Sequence, residues 1–180
     1  MDDSNKRMIE LVTALLNVSR LESGRVTIDP EPIAINERIT TIIEDLENKS
    51  KNKKISIETE LDPNIPEIKL DKLLVQEAIM NLLTNAIKYS PKETKVYVET
   101  KKEEDAVLIK VKDQGVGIPE KDQGKIFTKF FRASNVTKSD TEGNGLGLYL
   151  TKRVVEESGG SIWFDSKKGH GTTFFISLPL

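Results

Sequence analysis

No cysteine occurs among the 180 residues, which excludes disulfides and thiolate metal sites and fits a reducing compartment. Long hydrophobic runs are missing too, since none approaches the roughly 20 residues needed to cross a bilayer. The start, MDDSNKR, has no apolar stretch behind a basic one, so no signal peptide is read. The chain is therefore expected to be soluble and cytoplasmic. Neither sign of charge dominates. With 27 basic and 29 acidic side chains the net charge is −2, which leaves no nucleic-acid footprint and no polyacidic tail. No internal repeat is found. Histidine is scarce, with His170 alone.

What is present is a globular composition. Apolar residues at 37% and charged residues at 31% suffice for a core and are too apolar for a disordered chain. The length allows one or two domains. Residues 5–22 place Met8, Leu11, Val12, Leu15, Val18 and Leu21 at helical spacing, with Ser4 to cap and Gly24 to stop. A lone amphipathic helix needs a partner surface, on this chain or on a second copy. Pro30 and Pro32 mark residues 25–35 as an extended connection and a domain boundary. Asn36 is expected to cap a second helix that buries Ile39, Ile42, Ile43 and Leu46 and runs out in ENKSKNKK. ISIETEL alternates as a half-buried strand, and Asp71 caps the helix that follows. KVYVET and AVLIKVKD form a strand pair. Residues 119–142 have no clean period, and a loop of that length is a lid, a binding loop or disordered. GLGLYLTKRVVEESGG is a helix, followed by the strands SIWFDS and TTFFISL. This order predicts an α+β two-layer sandwich, a mixed and mostly antiparallel sheet with helices on one face.

Four stretches carry candidate chemistry. In NLLTNAIKYSP, residues 81–91, a rotation of about 100° per residue puts Leu74, Ala78, Asn81, Asn85 and Lys88 on one stripe. The stripe is either the wet face of the helix or the lining of a site. Solvated faces favour Glu and Lys over Asn, whereas two Asn one turn apart suit a hard cation that shares phosphate oxygens, with Lys88 adding charge. In DQGVGIP, residues 113–119, period two puts Asp113 on the buried side of its strand. A buried carboxylate needs a hydrogen bond, for which an adenine amino group would serve, and Gly115 and Gly117 allow close backbone approach. Read alone, this stretch is better explained as a turn. In GNGLG, residues 143–147, a helix opens on glycines, and exposed amides at a helix start favour phosphate. It is neither a P-loop nor a Rossmann turn. GHGTTF, residues 169–174, reads alone as turn chemistry.

Together and in this order, these segments resemble the catalytic, ATP-binding domain of sensor histidine kinases, within the Hsp90-like, gyrase-like and MutL-like ATPases (a Bergerat-type fold). NLLTNAIKY is similar to the N box, DQGVGIP to the G1 box, KIFTKFFR to the F box and GNGLGL to the G2 box. The resemblance covers about 36–180, and residues 1–24 are similar to the last helix of the dimerisation and histidine-phosphotransfer domain. It implies ATP and Mg²⁺ as cofactors. Asn85 would hold the metal, with Asn81 assisting. Lys88 and Tyr89 would meet the phosphates and the ribose or base. Asp113 would take the adenine amino group, helped by Thr172, in a pocket shaped by Gly115, Gly117 and Ile118. Residues 119–142 would be the ATP lid, packed by Phe127, Phe130 and Phe131, with Arg132 and Lys129 reaching the γ-phosphate. Gly143, Gly145 and Gly147 would form the hinge and the phosphate-facing helix start, with Leu146 and Leu148 beside the nucleotide.

The resemblance also implies an acceptor histidine in an H box, and nothing here matches one. His170 is expected to be an ordinary turn residue. The chain then reads as part of a larger, membrane-anchored kinase. Its γ-phosphoryl would go to a dimerisation-domain histidine outside this sequence and on to a response-regulator aspartate. Residues 1–24 would offer a homodimer contact. Two rivals are a degenerate interaction module without nucleotide, and a hydrolytic ATPase with Glu77 as its nearest catalytic carboxylate.

Overall fold

The computed structural model describes residues 29–136 and 143–180, with residues 8, 9, 12, 15 and 16. Those five are helical and exposed, Met8 at 63% and Leu15 at 41%. The remainder of the expected helix over 5–22, and the chain up to residue 28, lie outside the described residues.

The elements run β1 (Pro30–Ile33), α1 (Ile35–Asp45), α2 (Glu47–Asn52), β2 (Ser56–Leu61), β3 (Ile68–Asp71), α3 (Lys72–Tyr89), β4 (Lys95–Lys102) and β5 (Ala106–Lys112). After them come α4 (Glu120–Gln123), α5 (Gly147–Glu157), β6 (Ser161–Ser166) and β7 (Thr172–Pro179). Five strands form one sheet in the order β2-β4-β5-β7-β6. Within this sheet β2 and β4 run parallel, and the other neighbouring pairs are antiparallel. The expected α+β sandwich with a mixed, mostly antiparallel sheet is what the chain forms.

Alternation decides the faces. Val96 and Val98 of β4, Val107, Ile109 and Val111 of β5, and Phe174, Ile176 and Leu178 of β7 are all buried. Register joins them across strands, as in Val98 opposite Val111 and Ile109 opposite Ile176. Helices α1, α3 and α5 cover this face with Ile35, Ile39 and Ile42, with Ile79, Leu82 and Leu83, and with Leu150, Val154 and Val155. The opposite face is wetter. There Trp163 stacks on Phe175 with centroids 5.3 Å apart, and Trp163 stays 42% exposed.

Two local expectations change. The extended segment before residue 36 is no free connection from Pro30 onward, because β1 pairs antiparallel with β3 and delivers buried Ile33 and Ile35 to the core. Asn36 does not cap α1, whose N-cap position is Ala34. Its amide instead donates to the Asp62 carbonyl at 2.8 Å and accepts from Thr100 Oγ1 at 2.9 Å, tying α1 to the end of β2 and to β4. Asp71 does cap α3, accepting from the Leu73 and Leu74 amides at 3.0 Å. Among the described residues no helix is long and apolar enough to cross a membrane.

Candidate functional site

The buried alternation of β5 continues one step past its last residue. Asp113 is 7% exposed, on the side of Val107, Ile109 and Val111. Its Oδ1 accepts from the Gly115 amide at 2.7 Å and the Thr172 amide at 3.0 Å, and its own N–H donates to the Thr172 carbonyl at 2.8 Å. Burial pushes the carboxyl pKa up, and the two amide bonds pull against that. Both bonds fall on Oδ1, so Oδ2 keeps its lone pairs for another donor.

Backbone meets backbone around this carboxylate. Gly117 has φ of 62°, and a Cβ there would collide with the Lys167 carbonyl. Gly171 has φ of 87°, and a Cβ there would collide with the carbonyl of Asp113. The Gly169 amide donates to the Val116 carbonyl at 2.8 Å. The turn after β5 is thereby clasped to the hairpin between β6 and β7. Ser166 completes the clasp. Its Oγ accepts from the Ile118 amide at 2.8 Å, donates to the Gly171 carbonyl at 3.0 Å and lies 2.8 Å from Thr172 Oγ1. With its one proton used on Gly171, Ser166 must accept from Thr172, which leaves the Thr172 oxygen only acceptor capacity.

The polar stripe on α3 is not the wet face, which is marked by Leu73 at 75% exposed and by exposed Glu77. Ala78 is buried, and Leu74, Asn81, Asn85 and Lys88 are half-buried, because α5 packs alongside. Asn81 Nδ2 donates to Thr151 Oγ1 at 2.7 Å, and Thr151 donates to the Gly147 carbonyl at 3.0 Å. Gly147 itself sits where a Cβ would collide with the Asn81 oxygen. Asn85, one turn on, has no side-chain hydrogen bond to a described residue. Lys88 Nζ is 4.9 Å from the Tyr89 ring centroid, and a Cβ on Gly143 would lie 2.7 Å from it. The Tyr89 carbonyl accepts from the Val116 amide at 3.3 Å, with Gly115 packed against it. One helix thus touches both glycine segments.

Of the segment 119–142 expected to be a lid, residues 119–136 are described. Phe127 is edge-on to Phe164 and Phe174, at 5.9 and 6.5 Å, and anchors the segment to β6 and β7. Phe131 also packs on the core, whereas Phe130, at φ of 62° and 57% exposed, does not join the packing expected of all three. A Cβ on Gly145 would lie 2.7 Å from the Phe130 carbonyl carbon, so these segments abut. Leu146 is fully buried and Leu148 half-buried. Asp122 accepts from the Ser134 amide and hydroxyl at 2.7 Å, which holds its pKa below the usual carboxylate value. Asn135 Nδ2 donates to the Gly117 carbonyl at 2.8 Å. Lys129 Nζ lies 5.2 Å from the Tyr149 centroid, and Arg132 is half-buried. Residues 137–142 lie outside the described residues.

Asn81, Asn85, Lys88, Tyr89, Asp113, Thr172 and the glycines thus surround the meeting point of α3, the turn after β5 and the start of α5. His170 is exposed in its hairpin turn, as expected. Sequence reasoning missed Thr151 and Ser166, whose partners Asn81 and Ile118 lie 70 and 48 residues away, beyond any local signal. Among the described residues no group of three His, Cys, Asp or Glu side chains could hold a metal. A divalent cation here would take the Asn85 amide oxygen and share the rest of its shell with a ligand's oxygens and water, a donor set suited to Mg²⁺.

A mixed sheet with helices on one face, and a buried carboxylate under a glycine clasp, define a Bergerat-type ATP-binding fold. The chain belongs to the family of histidine kinase-, DNA gyrase B- and HSP90-like ATPases, which residues 70–180 match. It is 31% identical over 179 residues to the circadian input-output histidine kinase CikA of Synechococcus elongatus, covering 98% of this chain and 24% of that protein. It is 34% identical over 183 residues to the sensor histidine kinase WalK of Bacillus subtilis, covering 98% and 29%. The fold superposes on full-length ShkA in complex with AMPPNP with a TM-score of 0.87 at 23% identity, covering 98% of this chain and 36% of that one. The chain spans about a quarter to three tenths of the length of these curated relatives.

Proposed function

We propose that this chain is the ATP·Mg²⁺-binding catalytic portion of a two-component sensor histidine kinase. The observation that carries the reading is Asp113, a buried carboxylate with one oxygen locked by two amides and the other left to accept. Such a group selects a ligand that presents an N–H donor in an apolar slot, as the adenine amino group does. Thr172, restricted to accepting, adds a second oxygen of the same preference, reachable directly or through water. Gly115, Gly117 and Ile118 line this end.

At the other end Lys88, the start of α5 and the lid residues Lys129 and Arg132 supply positive charge for a triphosphate. Asn85 would hold Mg²⁺, which when bound neutralises phosphate charge. Asn81, tied to Thr151, keeps α3 and α5 at a fixed separation. Gly143, Gly145 and Gly147 let the chain before α5 approach closely, and Leu146 and Leu148 pack beside it. Phosphoryl transfer depends mainly on positioning and charge neutralisation, and these residues provide both. The acceptor would be a histidine of the dimerisation domain, and a response-regulator aspartate would receive the phosphoryl group next. Residues 1–24 would belong to that dimerisation domain, and the exposed apolar positions 8, 9, 12, 15 and 16 suit a helix that pairs with another copy.

Isothermal titration of the chain with a non-hydrolysable ATP analogue tests the reading. Micromolar to millimolar binding that requires Mg²⁺ and is lost in Asn85→Ala is expected. No binding by the unaltered chain would sink the assignment, and binding indifferent to Asn85→Ala would remove the metal role.

A further inference from the structure

Helix α3 ends without the usual devices. Its C-cap residue Ser90 is extended, at φ −80° and ψ 144°, and Pro91 follows, so no left-handed glycine closes the last turn. The last carbonyls of a helix carry the negative end of its dipole and need donors. Lys53 supplies them from a distant segment. Its Nζ donates to the carbonyls of Ile87 at 3.0 Å, Lys88 at 2.7 Å and Ser90 at 2.9 Å. An ammonium has three protons, and all three are used.

The backbone of Lys53 is itself fixed. It is the C-cap residue of α2, and its carbonyl accepts from the Glu93 amide at 3.2 Å, just past the end of α3. The next residue, Lys54, turns the chain at φ of 55°. Two neighbouring carbonyls of α3 therefore go to different elements: Lys88 to Lys53, and Tyr89 to the amide of Val116 in the turn after β5. The turn also has its own hold through Asp113 and the hairpin glycines, whereas the backbone of Lys88 is held from outside α3 by Lys53.

We infer that Lys53 is a positioning residue for the phosphate end of the site, fixing the last turn of α3 so that the Lys88 ammonium stays at the glycine segment before α5. The inference rests on the nucleotide-binding reading above. It separates the two ends of the ligand, because the adenine end is clasped independently of Lys53.

The test measures dissociation constants of the 180-residue chain for a Mg²⁺-bound non-hydrolysable ATP analogue and for adenosine. Variants are Lys53→Met, Lys88→Met and the pair, each checked by thermal melting. Lys53→Met should weaken the triphosphate about tenfold, the scale of one charge-assisted hydrogen bond, and adenosine less than about twofold. In the Lys88→Met background it should add almost nothing, because both changes remove the same contact. If Lys53→Met melts too low for titration, Lys53→Arg keeps the charge but not the three-carbonyl fit, and should show the same triphosphate-selective loss. A folded Lys53 variant with unchanged triphosphate affinity overturns the inference, as does equal weakening of both ligands. Failure of the unaltered chain to bind the analogue is a different result and overturns the nucleotide reading beneath it.

Discussion

The two ends of the site are built from different materials. Around Asp113 the frame is mostly backbone: an amide pair that donates to one oxygen of its carboxylate, and glycines too close to a neighbouring carbonyl to carry a side chain. Around Asn85 and Lys88 they are side chains on a helix face, half-buried, beside segments joined through Asn81 and Thr151. A backbone frame holds its shape at little entropic cost and tolerates almost no substitution. A side-chain frame adapts to a flexible, highly charged ligand and degrades in steps. Selection of a base suits the first, and accommodation of phosphates the second.

The largest expected effect is on the clasp itself. Gly117→Ala puts a residue into left-handed φ, costing about 1–2 kcal/mol, and adds a collision with the Lys167 carbonyl that no rotamer relieves. A fall in melting temperature of roughly 10 °C or loss of a cooperative transition is expected. Gly124→Ala is the matched control, since nothing lies within 4 Å of its would-be Cβ. Equal melting of the two variants would break the distinction between a rigid end and an adaptable one.

Next comes Asp113→Asn, which separates binding from stability. Burial raises the Asp113 pKa above its ordinary value of 3.8. Between the ordinary and the raised values, the folded chain keeps a proton that the unfolded chain has lost, so stability falls as pH rises through that window. Asn keeps an oxygen for the Gly115 and Thr172 amides and removes the buried charge. The variant should melt no lower than the unaltered chain at pH 7 and show a flatter dependence above pH 3.8. Its new amide donor would face the ligand's N–H, so affinity for the ATP analogue should fall at least about 100-fold. Loss of stability with retained binding would reverse the roles given to the two carboxylate oxygens.

The same contrast explains what was legible in the sequence. Period two along β5 carried Asp113 to the buried face, and a rotation of 100° per residue gathered Asn81, Asn85 and Lys88, because both rules act within one element. Whether the stripe meets solvent was not legible from α3 alone, because α5, which packs beside it, lies far along the chain. The pairing of β1 with β3 was hidden because a four-residue strand with Pro30 and Pro32 looks like a connection, and only an edge position tolerates those prolines. Asn36 has a capping residue's chemistry but uses it on Asp62 and Thr100, 26 and 64 residues away. Phe130 shares its composition cue with Phe127, and tertiary packing alone distinguishes them. Lys53 sits in ENKSKNKK, the polar stretch in which the second helix was expected to run out, yet its ammonium fills the end of α3. What local rules missed was, in each of these cases, a partner far along the chain.

The smallest expected effect probes the side-chain end. Thr151 is 1% exposed and accepts a hydrogen bond from Asn81 Nδ2 while donating to the Gly147 carbonyl. Thr151→Val keeps the shape and strands the Asn81 amide, at a cost of about 1–2 kcal/mol, or a melting temperature lower by roughly 3–6 °C. Because Asn85 and Lys88 remain on the same helix, affinity for the ATP analogue should fall only a few-fold, well short of the loss in Asn85→Ala. That result would identify Asn81 as the strut between α3 and α5. Were Thr151→Val to abolish binding while melting normally, the phosphate end would be as intolerant as the clasp around Asp113, and Asn81 would have to touch the ligand itself.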